Sequence, residues 1–533
     1  MIKVNVKVPI GYNTSDVLSA VCAHIPVRSD EIRELVILRS SLDFSDGGVA
    51  GYSLTVGITV SEEREFGLLK MRKRVLPVPD YNFFLPRAAF SSRPIVVGAG
   101  PCGLFAALLL AEAGARPIVI ERGECVEKRG ETVARFSKSG ILNPESNVQF
   151  GEGGAGTYSD GKLKVGSMDK YKMKVLTEFV TSGGSADIMY SQTAHLGTDK
   201  LSGIVSTIRE KIKSLGGEFM FDTKLVGIEF KDRCVKSIKC ISAGSEMSID
   251  ADEVILAIGH SARDTVGMLC SIGMPMQSRG FGIGVRIEHP REYINELVYG
   301  KNYDSRLESA TYHLVTHLDN GRSAYSFCMC PGGTVVAATS ERGSVVTNGM
   351  SEYKRDGRNS NAAFLISVTP ADFGADDALA GVRYQIGIEK AAYSAAGSLY
   401  KAPAIRMGDF SAGDISSSFG SVTPTYPLGT EFVPLSSYMP SYVEESLRSA
   451  ISEFDKWMPG FYYPGAVITG AETRTTSPVR ILRTGTYEAE GFLGIYPAGE
   501  GAGYSGGIIS SAVDGLRCAE SLILKHAVVG GAL

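Results

Sequence analysis

RPIVVGAGPCGLFAALLLAEAGARPIVIERG, residues 93–123, is the stretch that decides the fold. A three-residue apolar run, Ile95–Val97, enters a turn carrying Gly98, Gly100 and Gly103. A segment rich in Ala and Leu follows, with no charge before Glu112, and a second apolar run ends at Glu121. Strand, glycine turn, helix and strand in this order predict a βαβ unit of the dinucleotide-binding kind. Each glycine has a distinct mechanical role. Gly98 permits the tight turn, Gly100 lets backbone approach a diphosphate, and Gly103 lets the helix lie close to the strand. The helix start, with Pro101 and Cys102 in its first turn, offers free amide donors and the positive end of a dipole to phosphates. Glu121, eighteen residues after the last glycine, is the expected acceptor for a ribose 2′-hydroxyl.

Outward from this unit the sequence favours FAD over NAD. Arg122 follows the acid directly, and ECVEKRGE continues as a charged segment through Arg129, where NAD dehydrogenases resume regular alternation. Residues 147–163, NVQFGEGGAGTYSDGKL, form a loop in which backbone at Gly153, Gly154, Ala155 and Thr157 can lie against a flat ring. From about residue 200 come a helix, a Gly-Gly stop and a strand pair, a segment similar to the one that in FAD enzymes brings main chain, here around Leu225 and Val226, to the adenine. ADEVILAIG then reads as a buried strand ending at Gly259 beside the cofactor.

Four hundred residues on, AGEGAGYSGGIISSAVDG (498–515) carries six glycines in eighteen positions before a helical segment. It reads as the chain's return to complete the first unit. Gly499, Glu500, Gly506, Gly507 and Ile508 are the expected contacts, with Glu500 on the ribityl chain. The helix N-terminus from about Gly507 is aimed at the flavin N1/O2 edge, where negative charge develops when N5 accepts a hydride.

A chain of 533 residues exceeds one ordinary core. The expected architecture is α/β: a discontinuous Rossmann-like FAD-binding domain (residues 89–270 and 466–533), an inserted strand-rich α+β substrate or cap domain (271–465) and a small N-terminal α+β domain (1–88). IKVNVKVP alternates as a strand, TSDVLSAVCAHI has helical spacing, and VLPVPDYNFFLPRAAFSSRP suits a linker that packs on its neighbour. In the insert, FGIGVRIEHP alternates as a strand, turns fall at residues 319–321 and 331–333, and SYVEESLRSAISEFDKWM is a helix with a Ser-x-x-Glu start.

Composition narrows the function. With 44% hydrophobic and 21% charged residues and a net charge of −4, the chain has a globular balance and no general pull toward nucleic acid or anionic lipid. The one basic run, KMRKR at 70–74, reads as a solvated surface. Nine cysteines without regular spacing form no disulfide framework, the opening has strand alternation in place of a signal peptide, and no apolar run reaches the length of a membrane span. A cytoplasmic location is expected.

GAGPCG with VIERG, FGEGGAGTYSDGKL, AIGHSARDT, GVRIEHP, FCMCPGG, TNGMS, ETRTTSPVRI and GEGAGYSGGIISSAVDG together resemble the bacterial FAD-dependent dehydrogenases of unassigned substrate. That family is related in fold to the two-domain, glutathione-reductase-like flavoproteins and more distantly to geranylgeranyl reductases. The resemblance runs from about residue 90 to 530 and, more loosely, into the N-terminal domain, where GGVAGYSLTV departs from the family's more basic pattern. It implies FAD and a redox role, and supplies no substrate.

Arg286, Glu288, Arg474 and Ser477 are the candidate substrate contacts, an Arg there selecting an anion by paired hydrogen bonds; interface ion pairs are the alternative. Cys328 and Cys330 lie two apart on a strand, and a hairpin about Asn320-Gly321 is expected to bring His313 opposite Cys328. No fourth ligand is evident, so packing is the default role for the pair, a flavin-linked dithiol is the alternative, and no metal is expected. There is no C-x4-C redox pair and no second complete GxGxxG unit, so NAD(P)H, the candidate electron donor, has no dedicated domain. The leading expectation is an oxidoreductase moving hydride to or from flavin N5 with a small-molecule substrate. The alternative is an FAD-containing module engaging RNA or protein through the N-terminal domain.

Overall fold

The structure, a computed structural model, describes residues 1–532 apart from 46, 47, 72, 73, 80, 165, 375 and 376. Arg72 and Lys73 of the basic run thus lie outside the described residues.

Three sheets organise the chain. In the N-terminal one, four antiparallel strands pair in the order Glu34–Ser45, Gly48–Thr59, Ile2–Val8, Val75–Pro77. The alternation of IKVNVKV is realised: Ile2, Val4, Val6 and Val8 are buried beneath Val17 and Val21 of helix Thr14–His24, while Asn5 and Lys7 face water. Asn13, rather than Thr14 or Ser15, caps that helix, and Asp16 closes the capping box on the Asn13 amide.

The second sheet is parallel, in the order Ile495–Pro497, Val254–Leu256, Ile95–Val97, Ile118–Ile120, Glu218–Met220. Helix Pro101–Glu112 packs on it with ten consecutive buried residues, which is why its sequence is apolar on every side. Two glycines set the spacing. A Cβ on Gly103 would stand 1.8 Å from the Gly98 carbonyl oxygen, and one on Gly515 would stand 2.1 Å from that of Cys102. Gly103 lets the helix settle on the turn below it, and Gly515 lets the returning helix Ile508–Lys525 settle on the helix. The C-terminal strand Ala527–Ala532 pairs with Pro86–Ala88 in the expected linker.

The third sheet has seven strands in the order Val315–His317, Ser323–Cys330, Asn359–Val368, Phe281–Pro290, Val467–Glu472, Ala402–Arg406, Thr430–Phe432; only the last pair is parallel. Phe281–Pro290 is buried at nine of its ten positions instead of alternating. Both its faces are covered, by helix Ser441–Trp457 and by the hairpin of Thr334–Ala337 and Thr347–Met350. The Ser-x-x-Glu start of that helix does not form: Pro440 takes the N-cap position, no side chain caps the end, and Glu444 pairs with Arg448 at 2.8 Å.

Two β-bulges interrupt this sheet. One extra residue sits between Phe327 and Cys330 opposite Ala363–Asn361, and one between Thr469 and Glu472 opposite Arg286–Gly284. Bulges re-aim side chains, and these two fall where the sheet meets the parallel domain.

Candidate functional site

The two distant glycine turns meet at one cavity of about 250 Å³ between the parallel sheet and the seven-stranded sheet. Gly98, Gly100, Pro101 and Cys102 border it from the first turn, Gly154 and Ala155 from the Gly/Ser loop, and Glu500, Gly506, Gly507 and Ile508 from the returning turn. Glu121, Arg122, Leu225 and Gly259 complete the end nearer the parallel sheet. Bare backbone makes this space: a Cβ on Gly154 would stand 3.1 Å from Gly100 Cα, and one on Gly506 would meet no protein atom within 4 Å. Helices Pro101–Glu112 and Ile508–Lys525 both start at the cavity with a glycine N-cap and no side-chain cap, so their first amides face it.

Several expected contacts serve the walls instead. Glu121 borders the cavity, yet its Oε2 accepts from Ala99 N (2.8 Å) and its Oε1 from Gly123 N (2.9 Å) and Gly151 N (3.0 Å). It clamps three loops first, and has room for one further donor. Arg122 is held by Glu145 and by both oxygens of Asp264. Arg129 is fully buried and absent from the cavity wall; it donates to the carbonyls of Asn147, Val148 and Glu152 and so shapes the Gly/Ser loop from behind. Gly103 and Gly499 lie beneath the turns, Gly499 against Cys102. Gly153 and Thr157 border a smaller neighbouring pocket, and Val226 borders neither.

Of the four candidate substrate contacts, only Arg474 borders the cavity, and it is engaged by Glu389 and by Ser340 Oγ. Arg263 grips the same carboxylate; burial alone would raise the Glu389 carboxyl, but the two guanidinium groups hold it well below the usual range. Glu288 is fully buried and accepts from Asn359 and Thr425, and Ser477 donates to the Val479 carbonyl. Neither borders the cavity, because each satisfies backbone or amide groups within its own sheet region. Arg286 is also fully buried and off the wall, where it holds the residues that are on it.

Those residues come from the two bulges. Arg286 Nη1 donates to Glu472 Oε1 (3.1 Å), Nη2 to the Cys328 carbonyl (2.8 Å) and Nε to Asn361 Oδ1 (2.9 Å). Glu472 borders the cavity at 3% exposure, with Oε2 lacking any hydrogen-bond partner. Burial pushes its carboxyl up to about 7 against the pull of Arg286. Cys328, with φ of +39° at its bulge, exposes its side chain at the cavity it borders, and the protein enclosing that cavity pushes its thiol up to about 12.

Lys162 borders the same end, 3.0 Å from Asp160 Oδ2 but without hydrogen-bond geometry. Asp160 already accepts from Arg355 and Ser351, and Lys162 with Arg355 holds its carboxyl low despite burial. At the other end His260 Nδ1 lies 3.3 Å from Glu500 Oε1, and its buried Nε2 has no partner.

Sequence reasoning passes over Lys162, His260 and Glu472, although each adjoins a quoted motif: the last residues of the Gly/Ser loop, the position after Gly259, and two places before Arg474. It also reads Cys328 as packing, and the bulge overturns that by turning the side chain into the cavity. The register of the hairpin, Val315 opposite Tyr325 and His317 opposite Ser323, sets His313 against Phe327 and not Cys328. Among the described residues no group of three His, Cys, Asp or Glu is placed to hold a metal ion.

A cavity walled by glycine backbone, with two uncapped helix starts and a buried unpartnered imidazole nitrogen, fits a long ligand carrying phosphates and hydroxyls. Comparison with known proteins agrees. Residues 92–277 match the family described as pyridine nucleotide-disulphide oxidoreductase, and residues 280–475 match that described as FAD-dependent protein, C-terminal domain-like. An uncharacterized protein of Clostridium beijerinckii is 44% identical over 516 residues, 95% of each chain.

Among solved structures, an E. coli quinol fumarate reductase overlaps 83% of this chain and 71% of its own at 12% identity and a TM-score of 0.39. A geranylgeranyl bacteriochlorophyll reductase-like protein of Thermoplasma acidophilum overlaps 81% and 78% at 10% identity and 0.34. Overlaps this loose carry nothing about chemistry. The two family matches together with the full-length relative place the chain among the FAD-dependent oxidoreductases, and FAD is its cofactor.

Proposed function

We propose that the chain is an enzyme in which a small molecule, bound between the returning glycine turn and the bulged edge of the seven-stranded sheet, exchanges a hydride with FAD. When bound, FAD supplies a two-electron acceptor whose N5 takes or gives the hydride. The protein's own part is to bind, orient and balance charge. The amides at the starts of helices Pro101–Glu112 and Ile508–Lys525 would supply fixed donors, the first set to the ligand's diphosphate and the second to the charge that develops on its ring. Glu121 holds three loops at the cavity, and Glu500, with His260 beside it, lines the same cavity.

The observation that carries this reading is the single cavity shared by both glycine turns and by polar side chains of the other sheet. NADH or NADPH is the proposed electron donor or acceptor, reaching the same cavity in turn with the substrate. Anaerobic mixing of the FAD-loaded chain with each nucleotide tests this: bleaching of the visible flavin bands, reversed by an added acceptor, is expected. A loaded chain that stays oxidised with both nucleotides removes them as partners, and a chain that retains no FAD removes the whole reading.

A further inference from the structure

The sheet-side end of the cavity carries chemistry that cofactor binding does not use. Glu472, Lys162 and Cys328 all border it, and Arg286 ties two of them together by donating to Glu472 Oε1 and to the Cys328 carbonyl. Glu472 Oε1 is fixed by Arg286, while Oε2 is buried, unpartnered and at the wall. A buried carboxyl oxygen without a protein partner is costly unless something else meets it. Lys162 has three donors, no hydrogen bond, and one carboxylate neighbour that Arg355 and Ser351 already grip.

We propose that this end is a subsite for small 2-hydroxy carboxylates, with Lys162 binding the carboxylate and Glu472 Oε2 exchanging the hydroxyl proton. The proposal rests on the oxidoreductase reading above. In the oxidative direction the substrate C–H bond breaks and its hydrogen leaves with the electron pair to bound FAD. The O–H bond breaks, its proton passing to Glu472 Oε2, and the C–O bond becomes a carbonyl. The substrate loses two hydrogens and two electrons, and FAD and Glu472 together receive them.

The surroundings select this class. An ammonium-bearing substrate would meet a set that is positive on balance, Lys162, Arg286 and Arg355 against the carboxylates of Asp160 and Glu472. A dianionic phosphate would press on Glu472. An ordinary C–H proton is too weakly acidic for a carboxylate, whereas an alcohol proton is lost readily as its carbonyl forms.

The test uses the full chain loaded with FAD. Lactate, glycolate and malate are the substrates, and pyruvate is a product-like ligand that the oxidised protein cannot turn over. Calorimetry is expected to show pyruvate binding that Lys162→Met weakens by about tenfold or more. Glu472→Gln is expected to keep that binding within about threefold, lose the buffer-dependent proton uptake that accompanies it, and slow anaerobic flavin bleaching by the hydroxy acids by about 10²–10⁴-fold. If Glu472→Gln does not fold, Glu472→Asp, which keeps the carboxyl but withdraws it by one methylene, is expected to keep pyruvate binding and its proton uptake while slowing flavin bleaching. Pyruvate binding untouched by Lys162→Met, or a loaded chain that binds and oxidises none of the acids, overturns the subsite. If nucleotides still reduce that chain, the parent reading stands without it; a chain that retains no FAD defeats both.

Discussion

At the scale of single residues the site is built by side chains whose work depends on burial. Glu121 accepts from three backbone amides of three loops, and Glu121→Ala strands all three donors. A loss of about 2–4 kcal/mol in unfolding free energy, with weakened FAD binding, is expected in denaturant titrations. Glu472 gives a pH signature. Its carboxyl is raised to about 7 from 4.5, so the folded chain binds more protons than the unfolded one between those values. Its contribution to stability is therefore complete below pH 4.5 and is lost as pH rises through 7. Measured against Glu472→Gln, the wild-type chain should lose relative stability over this interval; equal slopes would contradict it. Motif spacing marks Glu121 as a ribose acceptor, but its clamp on the amides of Ala99, Gly123 and Gly151 joins loops that spacing does not connect. The sequence hid Glu472 because a glutamate becomes a poised acid only when a sheet buries it.

At the scale of elements, spacing alone separated helices from strands correctly around both glycine turns, since each signal there is local. Where neighbours decide, it did not. Ser441 and Glu444 have capping-box spacing, but Pro440 occupies the cap, so Ser441→Ala should change stability by less than about 0.5 kcal/mol. Asn13→Ala, which removes a formed cap, should cost about 0.5–2 kcal/mol in the N-terminal domain. Differential unfolding of the two variants compares them directly. FGIGVRIEHP was legible as a strand but not as a central one, because its polar Arg286 and Glu288 are satisfied by partners 42 to 186 residues away. The bulges that aim Cys328 and Glu472 depend on register against other strands, which no local pattern records.

At the scale of the whole molecule, the returning segment completes the first βαβ unit. Strand Ile495–Pro497 pairs with Val254–Leu256, and helix Ile508–Lys525 covers Pro101–Glu112 at the close approach of Gly515 to Cys102. Gly515→Ala forces those helices apart and should destabilise the chain by about 1–3 kcal/mol, read as a lowered denaturation midpoint. The repeated glycine turns made this closure legible from sequence, whereas the contents of the inserted sheet were not, since its order joins strands from residue 281 to residue 472.

The proposed function requires two turns four hundred residues apart to share one flavin, and titrating FAD into wild type, Gly100→Ala and Gly506→Val tests this most directly. Neither new side chain starts from a clash with protein, since a Cβ on Gly100 comes no closer than 3.7 Å to Gly154 Cα and one on Gly506 meets nothing within 4 Å. Both variants should therefore fold as the wild-type apoprotein does and lose FAD affinity by about tenfold or more. Wild-type affinity in either variant would contradict the shared site.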